Sequence, residues 1–278
     1  MRVKSDAFQY TDEKLHGLWE KLHRGDREPW PDAKRIARLG AAGTRFRAWL
    51  DGQESPTAVS QRVREAWRAF HAGDFVQAIK LGNTLGPLGA VVANKAAAIY
   101  AMYGRRTESQ RRELLEAAIK RGEASVKMLA GWPNAHYMLA LALGRYSQEL
   151  SIVKAAAGGW ATRVRTHLER AIALEPSHAE GHVAFGLYHA ELVGTLGKIA
   201  ASLAYGATQD GALEHFERAM ELAPASPIVR IEYANGLLRL DDRKNRKRAQ
   251  ELYGQAARFV PKDAMEQFDV ERARAGPP

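Results

Sequence analysis

The chain of 278 residues is long enough to bury a sizeable core, and 46% of its residues are hydrophobic, which is typical of a globular protein. It contains no cysteine, which excludes disulfides, thiolate catalysis, iron–sulfur clusters and cysteine-based zinc sites. The net charge of +9 is concentrated in residues 59–130. It would suit an anionic partner, but a solvated helix surface is the simpler interpretation.

Residues 1–58 are predicted to form an N-terminal helical cap. Residues 11–24 have amphipathic spacing with Leu15 and Trp19 on one face, and a second helix is predicted over residues 32–50, after the P-W-P break. No apolar segment follows the N-terminal charges, and no apolar run approaches the roughly 20 residues that span a bilayer. We therefore expect a cytoplasmic protein without a membrane span.

Two helix pairs are predicted next, over residues 59–86 and 88–130. The first contains the turn A-G-D-F, and the second is more divergent in sequence. Thr107 and Gln110 have the spacing of a capping box, which predicts that a helix begins there.

Three clearer pairs are predicted over residues 133–176, 179–224 and 227–261. Each ends with a small residue, an aromatic residue or leucine four places on, an alanine three places later and a proline five places after that. Residues three and four apart share a helix face, and the proline ends the helix. The three copies are Val164, Leu168, Ala171 and Pro176; Ala212, Phe216, Ala219 and Pro224; and Ala249, Tyr253, Ala256 and Pro261.

This pattern resembles the tetratricopeptide repeat (TPR), a helix–turn–helix unit of about 34 residues. The resemblance implies an all-α fold: a right-handed superhelix, or α–α solenoid, with extended central repeats. We predict the repeat array over residues 59–262, followed by a C-terminal capping helix and frayed tail over residues 263–278.

The two central repeats are longer than a standard unit because each carries an insertion between its helices. The insertions, about residues 151–161 and 194–206, are rich in alanine and glycine and are less polar than ordinary loops. We expect them either to pack on each other or to expose an apolar patch to a partner or ligand.

These insertions sharpen the resemblance to a family. The segments H-L-E-R-A-I-A-L-E-P, G-L-Y-H-A-E-L and K-I-A-A-S-L-A-Y-G follow one another within residues 108–262. In this order they resemble the regulator of microtubule dynamics family and, more loosely, the T component of TRAP transporters. The resemblance implies a non-catalytic binding protein. Because the alanine- and arginine-rich composition looks bacterial, a microtubule partner is not carried over.

Catalytic and metal-binding hypotheses find little support in the sequence. His178 and His182 have helical i, i+4 spacing, but His182 occupies a repeat position that is expected to be a partly buried packing position or a surface position, and His178 is expected to precede the helix. No spaced acid pair, phosphate-binding loop or nucleophile motif is present. The sequence therefore predicts a non-enzymatic protein with no cofactor and no metal.

The binding hypothesis is more specific. In TPR arrays the first helices line a concave groove, which here would be apolar at its centre and polar at its edge. This groove would suit a protein or peptide segment, or alternatively a small molecule or lipid held in an apolar cavity between groove and insertions. A third possibility is that the N-terminal helices or the insertions fill it. The predicted partner-binding residues are Asn134, Tyr137, Leu141, Arg145, Glu180, Val183, Leu187, Glu191, Ile228, Ile231, Asn235 and Arg239.

Two basic clusters raise the question of nucleic acid. One contains Arg105, Arg106, Arg111 and Arg112, and the other is R-K-N-R-K-R in the predicted last inter-helix turn, residues 243–248. Neither is interleaved with aromatic residues, so stacking on single strands is not indicated. The sequence therefore argues against nucleic acid as a partner.

Overall fold

The computed structural model describes residues 8–104, 106–150 and 158–278. These residues form fourteen helices and no strand. The helices are α1 Asp12–Leu22, α2 Ala33–Ala42, α3 Thr44–Asp51, α4 Pro56–His71, α5 Phe75–Asn83, α6 Gly86–Tyr103, α7 Glu108–Met128, α8 Pro133–Gln148, α9 Trp160–Leu174, α10 Ala179–Leu196, α11 Lys198–Tyr205, α12 Gln209–Leu222, α13 Pro227–Ala256 and α14 Ala264–Ala275.

The helices begin where the sequence supplies caps. Ser55 accepts a hydrogen bond from the Ala58 amide ahead of Pro56, and Thr107 and Gln110 form the predicted capping box. The prediction of one helix over residues 32–50 was wrong. Gly43 is extended between α2 and α3, and this single residue ends one helix and starts the next.

The last repeat also differs from its prediction. Its two helices are not separated by a turn but form α13, which is broken only at the extended residue Asp241. The Asp241 side chain accepts from the Lys244 amide at 3.0 Å and so caps the second half. The basic cluster at residues 243–248 therefore lies on a helix rather than in a turn.

Helices that are close in sequence pack against one another, as the repeat pattern predicts. α6 packs with α5 and α7, α8 with α7 and α9, and α10 with α12 and α13. The aromatic of the repeat pattern, Phe216, sits between two glycines. A Cβ atom at Gly186 would lie 2.7 Å from its ring, and one at Gly236 would lie 2.2 Å from it. Glycine is therefore needed where the neighbouring helices approach this ring.

The C-terminal helix returns to the beginning of the array. Phe268 of α14 stacks on Tyr103 of α6, with 5.3 Å between ring centroids, and packs near Phe75 of α5. The Tyr103 hydroxyl donates to Asp269 Oδ1 at 3.1 Å. The last helix thus touches the first repeats, and the array closes on itself.

Membrane insertion is a separate question for an array that contains several apolar helices. Within the described residues, no helix is both long enough and apolar enough to cross a bilayer.

Candidate functional site

The groove between the first helices of consecutive pairs is covered by the chain's own N-terminal segment, residues 8–31, which we call the arm. The backbone of its turn between α1 and α2 bonds to α8 and α10. The Gly25 carbonyl accepts from the Glu180 amide at 3.0 Å, and the Asp26 carbonyl accepts from Asn134 Nδ2 at 2.9 Å. The arm therefore occupies part of the predicted partner-binding groove.

A continuous chain of polar contacts, which we call the relay, runs through the arm. His71 Nδ1 lies 2.7 Å from Asp263 Oδ2, and His71 Nε2 lies 3.2 Å from His23 Nε2. His23 Nδ1 lies 2.9 Å from Asp26 Oδ1, and Asp26 Oδ2 accepts from Lys95 Nζ. Each of these five residues is at most 4% exposed. The relay joins the arm to α4, α6 and the residue that caps α14.

The Lys95 end of the relay is an ion pair in the protein interior. Lys95 Nζ also donates to Glu180 Oε1 at 3.1 Å. Burial alone would lower the pKa of Lys95, but Asp26 and Glu180 raise it. Burial opposes ionisation of Asp26, but His23 and Lys95 hold its pKa well below its usual range. Lys95 and Asp26 are therefore charged although both are buried.

Glu28 occupies a second polar pocket next to the relay. Its Oε2 accepts from Asn134 Nδ2 at 2.7 Å and from Trp132 Nε1 at 3.2 Å, and Arg35 lies 3.7 Å from its Oε1. Burial raises the pKa of Glu28 to about 7, although Arg35 opposes the shift. This carboxyl group therefore changes its protonation near neutral pH.

His178 fixes the orientation of Asn134. As predicted, His178 precedes its helix: it is the N-cap of α10, and its Nδ1 accepts from the Gly181 amide at 2.9 Å. Its Nε2 therefore carries the proton and donates to Asn134 Oδ1 at 2.8 Å. The Asn134 amide is left with Nδ2 facing the arm. Burial lowers the pKa of His178 to about 4, so the ring is neutral at pH 7.

Three of the predicted groove residues lie beneath the arm. Asn134 is 1% exposed, Tyr137 is 6% exposed, and Glu180 is held by Lys95. Tyr137 packs on His178 with 4.7 Å between ring centroids. At these positions the N-terminal part of the chain fills the groove, which is the third possibility raised by the sequence.

Three further predicted residues pack between helices. Val183 and Ile231 are buried in hydrophobic clusters. Asn235 Oδ1 accepts from the Tyr253 hydroxyl at 2.8 Å. A partner would reach Val183 and Ile231 only if the helices moved apart, whereas Asn235 is half-buried.

The remaining six predicted residues keep exposed surface. Glu191 and Arg239 form an ion pair of 3.2 Å whose side chains are 40% and 64% exposed, and Arg145 lies 3.8 Å from Glu232. The six half-buried or exposed residues are Leu141, Arg145, Leu187, Glu191, Ile228 and Arg239.

The second insertion contains helix α11, whose outer face is apolar and exposed. Ile199 is 78% exposed, Leu203 is 84% exposed, and Leu196 just before the helix is 38% exposed. Of the two alternatives raised for this insertion, the exposure of these side chains fits the second, an exposed apolar patch. Residues 151–157 of the first insertion lie outside the described residues.

This apolar face adjoins the open part of the groove. At Gly194 the backbone of α10 approaches α13 so closely that a Cβ atom would lie 2.5 Å from the Arg239 carbonyl oxygen. The ion pair of Arg239 and the start of α11 are therefore neighbours. We call Glu191, Leu196, Ile199, Leu203 and Arg239 the rim surface.

Two histidine pairs recur at equivalent positions of consecutive repeats. The Nδ1 atoms of His136 and His167 are 3.0 Å apart, and those of His182 and His215 are 2.9 Å apart. In each pair the first histidine uses Nε2 to bond a backbone carbonyl six residues earlier, so its Nδ1 accepts from the second ring. Burial lowers the pKa of all four rings, that of His215 to about 4. The pairs thus join the helices of a repeat as neutral rings.

The relay and the histidine pairs also bear on the metal hypothesis. Among the described residues, no group of three or more histidine, aspartate and glutamate side chains is arranged to hold a metal ion.

Both basic clusters contain arginines with acidic partners in the chain. Arg111 binds Glu149 through two parallel bonds of 2.9 and 3.0 Å, and Arg246 binds Asp242 at 2.7 Å. Arg105 lies outside the described residues. These contacts indicate solvated, internally paired helix surfaces.

The relay is almost invisible in the sequence. Its five residues come from four distant parts of the chain, and only one of them has a local signal. The dipeptide Asn94-Lys95 interrupts an otherwise apolar stretch, G-A-V-V-A-N-K-A-A-A-I. A lysine in such a setting is buried only when it is paired, so this position predicts an acidic partner without naming it.

Comparison with known proteins identifies the family. A family model described as regulator of microtubule dynamics protein 1-3 matches residues 89–273. The chain belongs to this family. This is the family that the insertions and the repeat endings of the sequence resemble.

The solved structures add evidence about the fold. A thermophilic TPR protein from Thermus thermophilus superimposes with a TM-score of 0.55 at 16% identity, covering 78% of this chain and 99% of that protein. It shows that the array is a TPR-like solenoid. A comparison with curated proteins found no match.

Proposed function

We propose that this protein is a non-enzymatic interaction module, a scaffold or adaptor that binds a segment of a protein partner. The fold supports this class of function, because helical-repeat arrays present extended surfaces to other proteins. The family description refers to microtubule dynamics, which also points to a protein as the binding partner.

The observation that carries the proposal is the apolar face of α11. Large apolar side chains as exposed as Ile199 and Leu203 mark interaction sites when they form a patch. They are one helical turn apart, so they offer adjacent anchors to a partner. The neighbouring ion pair of Glu191 and Arg239 supplies the polar edge that protein interfaces have. The partner's own face should therefore be amphipathic.

Two alternatives raised by the sequence have less support. An apolar cavity for a lipid or small molecule is not favoured, because the arm and its buried charges occupy the groove centre. A nucleic-acid site is not favoured either, because arginines of both basic clusters are paired with acidic side chains.

The test compares three forms of the full-length protein as baits in cell extract. They are the wild type, the double variant Ile199→Asp/Leu203→Asp, and Val260→Asp as a control, because Val260 is 82% exposed but lies outside the rim surface. We expect one protein to be retained by the wild type and the control and lost by the double variant. The purified partner should then bind the wild type in calorimetry.

Equal retention by all three baits would exclude the rim surface as the binding site. Circular dichroism supplies the necessary control, because the double variant must be as helical as the wild type for a loss of binding to be meaningful. The half-buried groove residue Leu187 extends the test. Leu187→Asp should weaken binding of the same partner if the bound segment continues from the rim into the groove.

A further inference from the structure

The arm contacts the groove as a bound peptide would, through alternating side chains. His23, Asp26 and Glu28 are buried, whereas Arg24 and Arg27 between them are exposed. Its main chain is bonded as well, at Gly25 and Asp26. The contacts of this short segment are thus made by two acidic side chains, two carbonyl groups and His23, which meets His71.

The repeat array supplies a built set of donors for these acidic groups. Lys95 Nζ donates to Asp26, and Asn134 Nδ2 and Trp132 Nε1 donate to Glu28 at 2.7 and 3.2 Å. All three donor residues are buried, and all three lie within residues 89–273, which match the family. The arm lies before that match. The pocket therefore belongs to the family fold, and its occupant comes from outside the matched region.

We propose that this pocket is a recognition site for an acidic turn of sequence Asp-x-Glu from a protein partner, and that the arm is its resident occupant. A buried lysine, an amide and an indole N–H that converge on two carboxyl groups select an acidic ligand. The arm then acts as an autoinhibitory segment that a partner must displace. The site shares no residue with the rim surface, so the two proposals stand or fall separately.

The backbone of the arm is strained at the point between its two acidic anchors. Arg27 has a φ of 53°, in the left-handed region that residues other than glycine seldom adopt. Its side chain is exposed, so the conformation is imposed by the neighbours on either side. This strain weakens the hold of the arm, and Arg27→Gly should relieve it and tighten the arm.

The experiment measures binding of a fluorescent peptide with the sequence of residues 22–31 to the full-length protein by anisotropy. The wild type is compared with Asp26→Asn/Glu28→Gln, which weakens the arm and leaves the pocket intact. The control is Asp242→Asn/Glu251→Gln, which makes the same two residue replacements on the exposed surface of α13. Because a tethered segment competes at an effective concentration of about a millimolar, we expect the arm variant to bind the peptide at least about tenfold more tightly than the wild type.

Two further comparisons test the chemistry. A peptide in which the same two acids are replaced by Asn and Gln should not bind the arm variant. In the second comparison the full-length protein carries Arg27→Gly, and this protein should bind the acidic peptide more weakly than the wild type does. Equal binding by the folded arm variant and the wild type would overturn the proposal. So would equal binding of the acidic and neutral peptides.

Hydrogen exchange keeps the proposal testable if the arm variant does not fold. Acidic peptide added to the wild type at several millimolar should speed exchange of the amides in residues 23–30 by about twofold or more, since it competes with the arm on equal terms. No change at these amides would overturn the proposal. Repeating the measurement on Ile199→Asp/Leu203→Asp separates the two sites, because the rim substitutions should leave the peptide effect unchanged.

Discussion

Helix α10 carries two glutamates with opposite surroundings, one in each half of the groove. Glu180 near its start is held by Lys95 in the filled half, where the lysine side chain is 6% exposed. Glu191, three turns later, pairs with Arg239 at the open rim, where the arginine side chain is 64% exposed. The same kind of ion pair thus serves two purposes: the buried one fixes the arm in place, and the exposed one leaves a surface available to a partner.

The largest effect on stability is expected when the buried cation, Lys95, is removed. Lys95→Met keeps the length of the side chain but leaves the buried Asp26 and the half-buried Glu180 without a positive partner. Breaking a buried ion pair in this way costs about 3–5 kcal/mol, so we expect a loss of that size in the free energy of unfolding. Urea denaturation measures it.

A second variant tells whether the loss comes from unpaired charge. Adding Asp26→Asn to Lys95→Met removes one of the two stranded carboxylates, so part of the lost stability should return. A loss below about 1 kcal/mol for Lys95→Met alone would contradict the interpretation of a charged, buried pair.

The stability of the protein should also depend on pH through the half of the groove that the arm fills. The raised pKa of Glu28 predicts the sign of this dependence. With a pKa of about 7 in the folded state and 4.5 in the unfolded state, only the folded state holds this proton between pH 4.5 and 7. Its contribution to stability is therefore present at low pH and is lost as the pH rises to 7. The stability of the wild type relative to Glu28→Gln should fall by about 3 kcal/mol across this window.

Denaturation of both proteins at pH 4.5, 6 and 8 checks this prediction. Other groups change with pH too: burial lowers the pKa of His23 and His178 to about 4, so their contribution is lost as the pH falls from 6.5 towards 4. These contributions cancel in the difference between the wild type and the variant. A difference that is constant with pH would show that Glu28 does not hold a proton.

The contrast between the halves also explains which features the sequence could predict. The repeat endings built around Phe216 and Tyr253 predict the solenoid, because their spacing on one helix face is a local property. The apolar insertion that forms α11 was visible for the same reason. The relay was not, because His23, His71 and Asp263 meet only through the closure of the whole array.

The twelve predicted groove residues illustrate the same limit. Their repeat positions were assigned from spacing, but spacing cannot show that residues 8–31 cover Asn134 and Tyr137. Nor does it show that α14 returns to α6. Both depend on contacts between segments that are distant in sequence, for which a single chain offers no periodic signal.

A smaller loss of stability is expected when one of the histidine pairs is broken. His182→Leu removes the bond from Nε2 to the Pro176 carbonyl and the Nδ1 contact with His215. Losing a buried hydrogen bond typically costs about 1–2 kcal/mol, which thermal denaturation resolves. If His182→Leu were as stable as the wild type, the paired rings would not be holding the two helices of the repeat together.

The smallest effect should come from the open rim. Arg239→Met breaks the exposed pair with Glu191, and Leu203→Ser removes a side chain that is 84% exposed. Exposed ion pairs contribute about 0–1 kcal/mol and surface substitutions change stability by about 0.5 kcal/mol or less. We therefore expect both variants to unfold at nearly the same urea concentration as the wild type.

The unchanged stability expected of the two rim variants is informative when it is compared with the loss expected of Lys95→Met. If the rim variants are as stable as the wild type but lose the partner, the rim is a binding surface that contributes little to folding. If Leu203→Ser instead costs more than about 1.5 kcal/mol, α11 must be buried in solution. Its covering surface would then be a second copy of the chain, and sedimentation of the wild type should show a dimer that the variant lacks.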